Sequence, residues 1–257
     1  MRLTVDHKST YSYETGVSYA LQQVRKRPVS LPSQSILSWD LSIDGAHWET
    51  SYTDHHGNLV DLIQLESGVT SVSVSVKGEV ETHDTSGVMG GYSQLVPLWL
   101  YQRHTELTAP AKGLRALAGK FSRHPAQDIG VLHELMAEIA GAVAYQTNET
   151  DSHTTAEDAL QQGQGVCQDH AHIFIAVARL LGYPARYVSG YLMMTDRVDQ
   201  DAGHAWAEAW VDGLGWTGLT FPTALARMRA TYRLLRDWTI ATPRPSGGLC
   251  MAPDGKI

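Results

Sequence analysis

The sequence is short of cysteines, of basic residues and of long apolar runs, and each shortage excludes a class of protein. Its 2 cysteines, Cys167 and Cys250, are too few for a disulfide framework and lack the spacing of metal ligands. The 20 Lys and Arg are outnumbered by 27 Asp and Glu, so we expect no nucleic-acid partner. No apolar run is long enough for a signal peptide or a membrane span, so we expect no membrane contact and a cytoplasmic location.

Hydrophobic residues make up 43% of the 257 positions, which is enough for one large domain or two modest ones. Residues 2–80 consist of short runs in which apolar and polar residues alternate. The alternation is clearest at Val72, Val74 and Val76, which are separated by serines, and a period of two is typical of strands. The pattern therefore predicts an antiparallel β-sandwich within residues 1–105.

The second half of the chain changes to the period of a helix. One apolar stripe predicts a helix over residues 127–145, and a shorter helix is predicted over 156–161 with Thr154 or Thr155 as its N-cap. The next helix is predicted to begin at Cys167 and to end at a glycine and proline stop. Helices of this kind following a strand-rich region indicate an α+β fold.

Two strands are predicted after the cysteine helix, over residues 187–194 and 204–211. In the second strand His204 and its alternate neighbours share one face, and alanines occupy the other. The tryptophans of this part of the chain are most simply explained as packing on the sheet.

A cysteine at the first turn of a helix is a candidate nucleophile. The positive end of the helix and its unpaired N–H groups lower the pKa of a thiol and favour the reactive thiolate. The N–H groups of the first turn, including that of Cys167, are also suited to hold an oxyanion. His204 is the candidate base, because the end of its strand can face the start of the helix.

Two other interpretations of these residues stay open. A free cysteine often serves only as a small buried hydrophobic residue. Cys167, His170 and His172 are all residue types that bind metals, although a step of two residues turns the two imidazoles to different faces of a helix. The residues by themselves therefore leave a nucleophile, a packing residue and a metal site as alternatives.

Several motifs, in a fixed order, then resemble the bacterial transglutaminase-like cysteine-enzyme family. Residues 165–172 and 182–191 are similar to the cysteine motif of that family and the strand that follows it. Residues 204–210 with 213–216 are similar to its histidine strand, and residues 153–160 also fit. The first part of the chain resembles the β-rich N-terminal region that accompanies this family.

The resemblance implies an N-terminal β region over 1–105 and a papain-like catalytic core over 106–219, in which the cysteine helix packs on an antiparallel sheet. It implies that Cys167 is the nucleophile, that His204 is the base, and that an aspartate after Trp216 orients the histidine. The implied reaction is acyl transfer through a thioester, ending in transfer to an amine or hydrolysis of an amide. A protein or peptide substrate is expected, without a cofactor or a metal.

The chain departs from the family where the aspartate should stand, since Thr220 occupies that place. A threonine hydroxyl can accept a hydrogen bond from imidazole, but it has no charge to stabilise imidazolium, so we expect impaired activity. Residues 220–257 contain six basic and two acidic residues and do not follow the strand pattern of the family. Inserting one G after the codon of Leu219 converts Leu-Thr into Leu-Asp and, with permitted synonymous codons, restores segments similar to the C-terminus of the family.

We therefore predict that residues 220–257 are a frameshifted tail, caused by a genuine lesion or by a sequencing error, and that the C-terminal strands are missing. Two functional hypotheses follow. The chain is a transglutaminase-like enzyme that acts as a protease or as an acyltransferase. Alternatively, it is a catalytically inactive relative that binds peptides or proteins through its N-terminal sandwich.

Overall fold

The computed structural model describes residues 1–90, 96–124, 128–193 and 203–219, and the backbone of 231–237. The strands up to residue 90 are β1 (Arg2–Val17), β2 (Leu21–Arg27), β3 (Gln34–Asp44), β4 (Ala46–Thr53), β5 (Leu59–Leu65), β6 (Val69–Thr82) and β7 (Val88–Gly90). The later elements are α1 (Lys112–Gly119), α2 (Ile129–Ala142), β8 (Ala144–Tyr145), α3 (Ala156–Gln162), β9 (Gln164–Gly165), α4 (Cys167–Leu180), β10 (Ala185–Leu192), β11 (His204–Val211), β12 (Gly215–Leu219) and β13 (Thr231–Asp237).

The N-terminal region is a sandwich of two antiparallel sheets, with the strand orders β1-β6-β3 and β2-β5-β4. Side chains alternate along a strand, so the valines of β6 project to one face and are buried there. Val72 and Val74 of β6 pack with Ile63 and Leu65 of β5 between the sheets. The predicted antiparallel β-sandwich is confirmed.

The core is an antiparallel sheet with the order β13-β10-β11-β12-β7, and helix α4 packs across one face of it. The side chains of β11 on that face are alanines, which allow the helix to approach the sheet closely. Ala207 and Ala209 belong to the same buried cluster as Ala171 and Phe174 of α4. Because α1, α2 and α3 also contact α4, nearly the whole helix is buried. The predicted cysteine helix on an antiparallel sheet is confirmed.

The helix boundaries follow local signals. Helix α3 begins after Thr155, whose Oγ1 accepts the N–H of Asp158 at 3.2 Å while the Asp158 carboxylate accepts the N–H of Thr155 at 3.3 Å. Helix α4 begins at Cys167 as predicted, and Gly182 follows its end with φ of +90°. No helix in the ranges given above is long and apolar enough to cross a membrane.

The N-terminal region packs on the face of the core sheet opposite α4. A buried ion pair between Arg186 and Glu208 lies there, and the Arg186 guanidinium stacks 3.8 Å from the ring centroid of Trp216. Tyr101 meets Trp216 edge-on, with 5.0 Å between ring centroids, and His56 from the loop between β4 and β5 contacts Tyr101. The two regions are therefore joined through a polar and aromatic layer behind the sheet.

The expectation that the C-terminal strands are missing needs a correction at one place. The backbone of β13 pairs antiparallel with β10, from Tyr187 opposite Asp237 to Leu192 opposite Thr231. The reason is that a free sheet edge offers N–H and C=O groups to any extended segment, whatever its side-chain pattern. The remainder of the predicted frameshifted tail, residues 220–230 and 238–257, lies outside the described residues.

Candidate active site

The Cys167 thiol lies where the start of α4 meets the start of β11, and it is partly buried. Its Sγ accepts a hydrogen bond from the main-chain N–H of Ala205, the second residue of β11. The N–H groups of Gln168 and of Cys167 itself also point at the sulfur. A helix end and a strand end therefore converge on one thiol, and the strand is the one that His204 opens.

A close contact of Asp169 with the backbone fixes the turn ahead of Cys167. The Asp169 carboxylate accepts the N–H of Val166 at 2.7 Å and the hydroxyl of Thr150 at 2.7 Å. A Cβ at Gly165 would lie 2.7 Å from the same carboxylate, so the site requires glycine there. Sequence reasoning did not single out Asp169, although an acidic residue at the third helical position is a recognisable capping signal.

Burial dominates the acid–base state of Cys167. Loss of solvent raises the pKa of the thiol above its ordinary value, and the nearby Asp169 carboxylate adds to the increase. The surrounding N–H groups act in the opposite direction but do not compensate. The N–H groups at the helix end therefore act on this pKa in the expected direction, but the net pKa is raised, because the cost of removing a thiolate from water is larger. At neutral pH the sulfur carries its proton.

His204 is held as a neutral imidazole. Burial lowers the pKa of His204 to about 4. Its ring stacks on Trp206 with 6.0 Å between centroids, and its Nε2 is buried without a hydrogen-bond partner among the described residues. An imidazole in this state can accept a proton. Thr220, the expected place of the triad aspartate, lies outside the described residues, and so does Cys250.

The positions of the side chains argue against a metal site at Cys167, His170 and His172. Both ring nitrogens of His170 face main-chain oxygens, with Nδ1 2.9 Å from Val166 O and Nε2 3.0 Å from Val143 O. His172 is fully buried with its ring against β10, so it does not converge with Cys167 and His170. In the part of the chain that the structure describes, no group of three His, Cys, Asp or Glu residues could hold a metal ion.

Tyr145 borders the same site and has no counterpart among the predicted residues. Strand β8 pairs parallel with β9, which places Tyr145 opposite Gly165 just before the helix. Its ring lies 6.4 Å from that of His170 at an angle of 31°. Burial raises the pKa of the phenol, and the charge of a Cys167 thiolate raises it further. A strand of two residues has too little periodicity for a sequence pattern to reveal it.

Comparisons with known proteins agree with this architecture. Residues 115–220 match the transglutaminase-like superfamily, and residues 3–81 match the bacterial transglutaminase-like N-terminal region. Uncharacterized protein ML0607 of Mycobacterium leprae is 26% identical over 261 residues, covering 94% of this chain and 91% of its own. Uncharacterized protein Rv2569c of Mycobacterium tuberculosis is 39% identical over 88 residues, covering 32% of this chain and 28% of its own.

Among solved structures, a candidate cysteine protease from Cytophaga hutchinsonii has the same fold. The TM-score is 0.73 at 21% sequence identity, and the match covers 93% of this chain and 82% of that one. At this identity the likeness concerns the fold alone. The two family matches together identify residues 115–220 as a core of the transglutaminase-like superfamily, which follows a bacterial transglutaminase-like N-terminal region over residues 3–81.

Proposed function

We propose that the chain is a cysteine enzyme that transfers acyl groups through a thioester on Cys167, with His204 as its base. The observation that carries the proposal is the hydrogen bond from Ala205 N–H to Sγ of Cys167, which places the thiol at the end of the strand that begins with His204. The Nε2 of His204 has no hydrogen-bond partner among the described residues, which supports the assignment, because a base needs a free acceptor.

The reaction starts from a neutral thiol and a neutral imidazole. As Sγ forms a bond to the carbonyl carbon of the substrate, Nε2 of His204 takes the thiol proton and the carbonyl electron pair moves to oxygen. When the tetrahedral intermediate collapses, the bond to the leaving amine breaks and His204 returns the proton to that amine. Water or a second amine then attacks the thioester, and His204 removes a proton from the attacking group. The second tetrahedral intermediate collapses with cleavage of the C–S bond, and His204 returns the proton to Sγ of Cys167.

The substrate class that fits this chemistry is a protein or peptide amide, with no cofactor. Water as the second nucleophile makes the enzyme a protease, and a primary amine makes it a transglutaminase. A cytoplasmic location and the exclusion of nucleic acid and membrane as partners stay predictions from the sequence.

The proposal is tested by trapping the acyl-enzyme with p-nitrophenyl acetate and detecting the acetyl adduct by intact-mass spectrometry. We expect one adduct on the wild-type chain, located at Cys167 by peptide mapping. We expect no adduct on Cys167→Ala and a slow reaction with His204→Ala, whereas His47→Ala, on an exposed strand of the sandwich, reacts normally. An adduct that forms equally fast on Cys167→Ala would contradict the assignment.

A second candidate function is an inactive relative that binds peptides. Two observations favour it: the raised pKa of the Cys167 thiol, and the exposed aromatic residues Trp48 and Tyr52 on β4, which is an edge strand of its sheet. An edge strand can receive an extended peptide through main-chain hydrogen bonds. On this hypothesis no acyl-enzyme forms, and Trp48→Ala weakens the binding of a peptide library while Cys167→Ala leaves it unchanged.

A further inference from the structure

Tyr145 is tied to the start of the cysteine helix by the backbone. Its main chain lies opposite Gly165 in the pairing of β8 with β9, and the next N–H along, that of Gln146, donates to Gly165 O at 2.9 Å. Gly165 precedes Cys167 by two residues, so the tyrosine is anchored beside the helix start. The aromatic ring lies near His170, with 6.4 Å between the ring centroids, and His170 is about one helical turn beyond the thiol.

The phenol of Tyr145 is available to a substrate. The residue is 38% exposed, and its hydroxyl makes no hydrogen bond with any of the described residues. Cys167 is also partly exposed, and it follows Gly165, the strand partner of Tyr145, by two residues. Burial raises the pKa of the phenol, and the charge of a Cys167 thiolate acts in the same direction.

We infer that the Tyr145 hydroxyl donates a hydrogen bond to the oxyanion that forms when Cys167 attacks an acyl group. The inference rests on the proposed function. The bond from Sγ to the carbonyl carbon sends the carbonyl electron pair to oxygen, and the phenol stabilises that negative charge while keeping its own proton. The Tyr145 hydroxyl is a second donor beside the N–H of Cys167, because an oxyanion can accept hydrogen bonds from more than one group. When the leaving group departs, the carbonyl reforms and the hydrogen bond weakens.

This role depends on the hydroxyl rather than on the ring. Tyr145→Phe retains the ring that packs near His170 and removes only the donor, so it separates the two contributions. A matched control is Tyr19→Phe, because Tyr19 is 62% exposed and lies between β1 and β2 of the sandwich. Loss of one oxyanion donor lowers the rate of an acyl transfer by about 100-fold.

Two reactions of the same thiol test the inference. Acylation of the full chain by p-nitrophenyl acetate passes through an oxyanion, whereas alkylation by iodoacetamide displaces iodide from a saturated carbon and forms no oxyanion at the reacting atom. We expect Tyr145→Phe to slow the burst of acylation by about 100-fold and to leave the alkylation of Cys167 unchanged. Tyr19→Phe should change neither rate.

Each other outcome overturns the inference in a distinct way. If Tyr145→Phe acylates at the wild-type rate, the hydroxyl is not a donor to the oxyanion. If acylation and alkylation slow together, Tyr145 acts on the thiol and not on the oxyanion. If the wild-type chain alkylates at Cys167 but forms no acyl-enzyme, the proposed function is wrong and the inference fails with it.

Discussion

Arg186 and Glu208 form a fully buried ion pair across β10 and β11, on the face of the sheet away from the cysteine helix. The Nη2 and Nε atoms of Arg186 lie 2.6 Å and 2.9 Å from the same Glu208 oxygen, and the two residues are direct partners in the strand register. His204 lies on the same strand as Glu208. The pair therefore fixes the strand that carries the proposed base against its neighbour.

We predict that Glu208→Gln lowers the free energy of unfolding by about 3–5 kcal/mol, because Arg186 is left buried without its counter-charge. Urea denaturation followed by tryptophan fluorescence measures this loss. The double variant Arg186→Met with Glu208→Leu should recover most of it, since both charges are removed together. A loss below about 1 kcal/mol in Glu208→Gln would contradict the prediction, because it would equal that of an exposed pair.

The alkylation of Cys167 should depend on pH in the manner of a buried thiol. Burial raises the thiol pKa, so the midpoint for reaction with iodoacetamide is expected above the value of about 8.5 for a free cysteine. The rate should be followed in a Cys250→Ser background, which leaves a single thiol. A midpoint well below 8.5, abolished by His204→Ala, would instead reveal a resting thiolate–imidazolium pair and refute the neutral state.

Acid should destabilise the fold through His172. This residue is fully buried, and burial first, then the charge of Arg179, lower its pKa from 6.5 to about 4. In the unfolded chain His172 therefore becomes protonated as the pH falls through 6.5, whereas in the folded chain it stays neutral down to about pH 4. The contribution of the neutral residue is fully present above pH 6.5 and declines by up to about 3 kcal/mol as the pH falls toward 4.

The measurement is the free energy of unfolding in urea at several pH values between 7 and 4, compared for the wild type and His172→Leu. The variant should lose stability less steeply with falling pH, because it has no proton to bind at this position. Its absolute stability is not the readout, since the substitution also alters packing. Identical slopes for the two proteins would show that His172 is protonated equally in the folded and unfolded chains.

The parts of the fold that sequence patterns predict are those set by neighbours in the chain. Thr155 and Asp158 cap α3 through contacts three residues apart, and the start of α4 at Cys167 follows from the same kind of signal. The approach of Tyr145 to Gly165 depends instead on a parallel pairing between distant segments. The raised pKa of Cys167 likewise comes from burial by several elements, which no local pattern records.

The predicted frameshift is tested by resequencing the gene around the codons of Leu219 and Thr220. We expect a missing nucleotide there, so that the restored frame reads Leu-Asp. The alignment with ML0607 covers 94% of the chain, which is more than residues 1–219 supply, so part of the tail aligns with a relative in the frame as it stands, and this counts against the prediction. An intact frame, with the tail of this chain matching relatives in the frame as it stands, would refute the prediction.

Thr220→Asp should raise the activity of a chain that has the sequence as written. The family resemblance puts the aspartate that orients His204 at this position, and a carboxylate stabilises the imidazolium that forms during attack, which a hydroxyl cannot do. Loss of the charge in such a triad lowers kcat by about 10⁴-fold, so a gain of about 100-fold in acylation is a modest expectation for a chain with an altered tail. Thr220→Asn is the matched control, because it has nearly the same shape without the charge and should gain little. Equal rates for the two variants would show that no charge acts on His204 from residue 220.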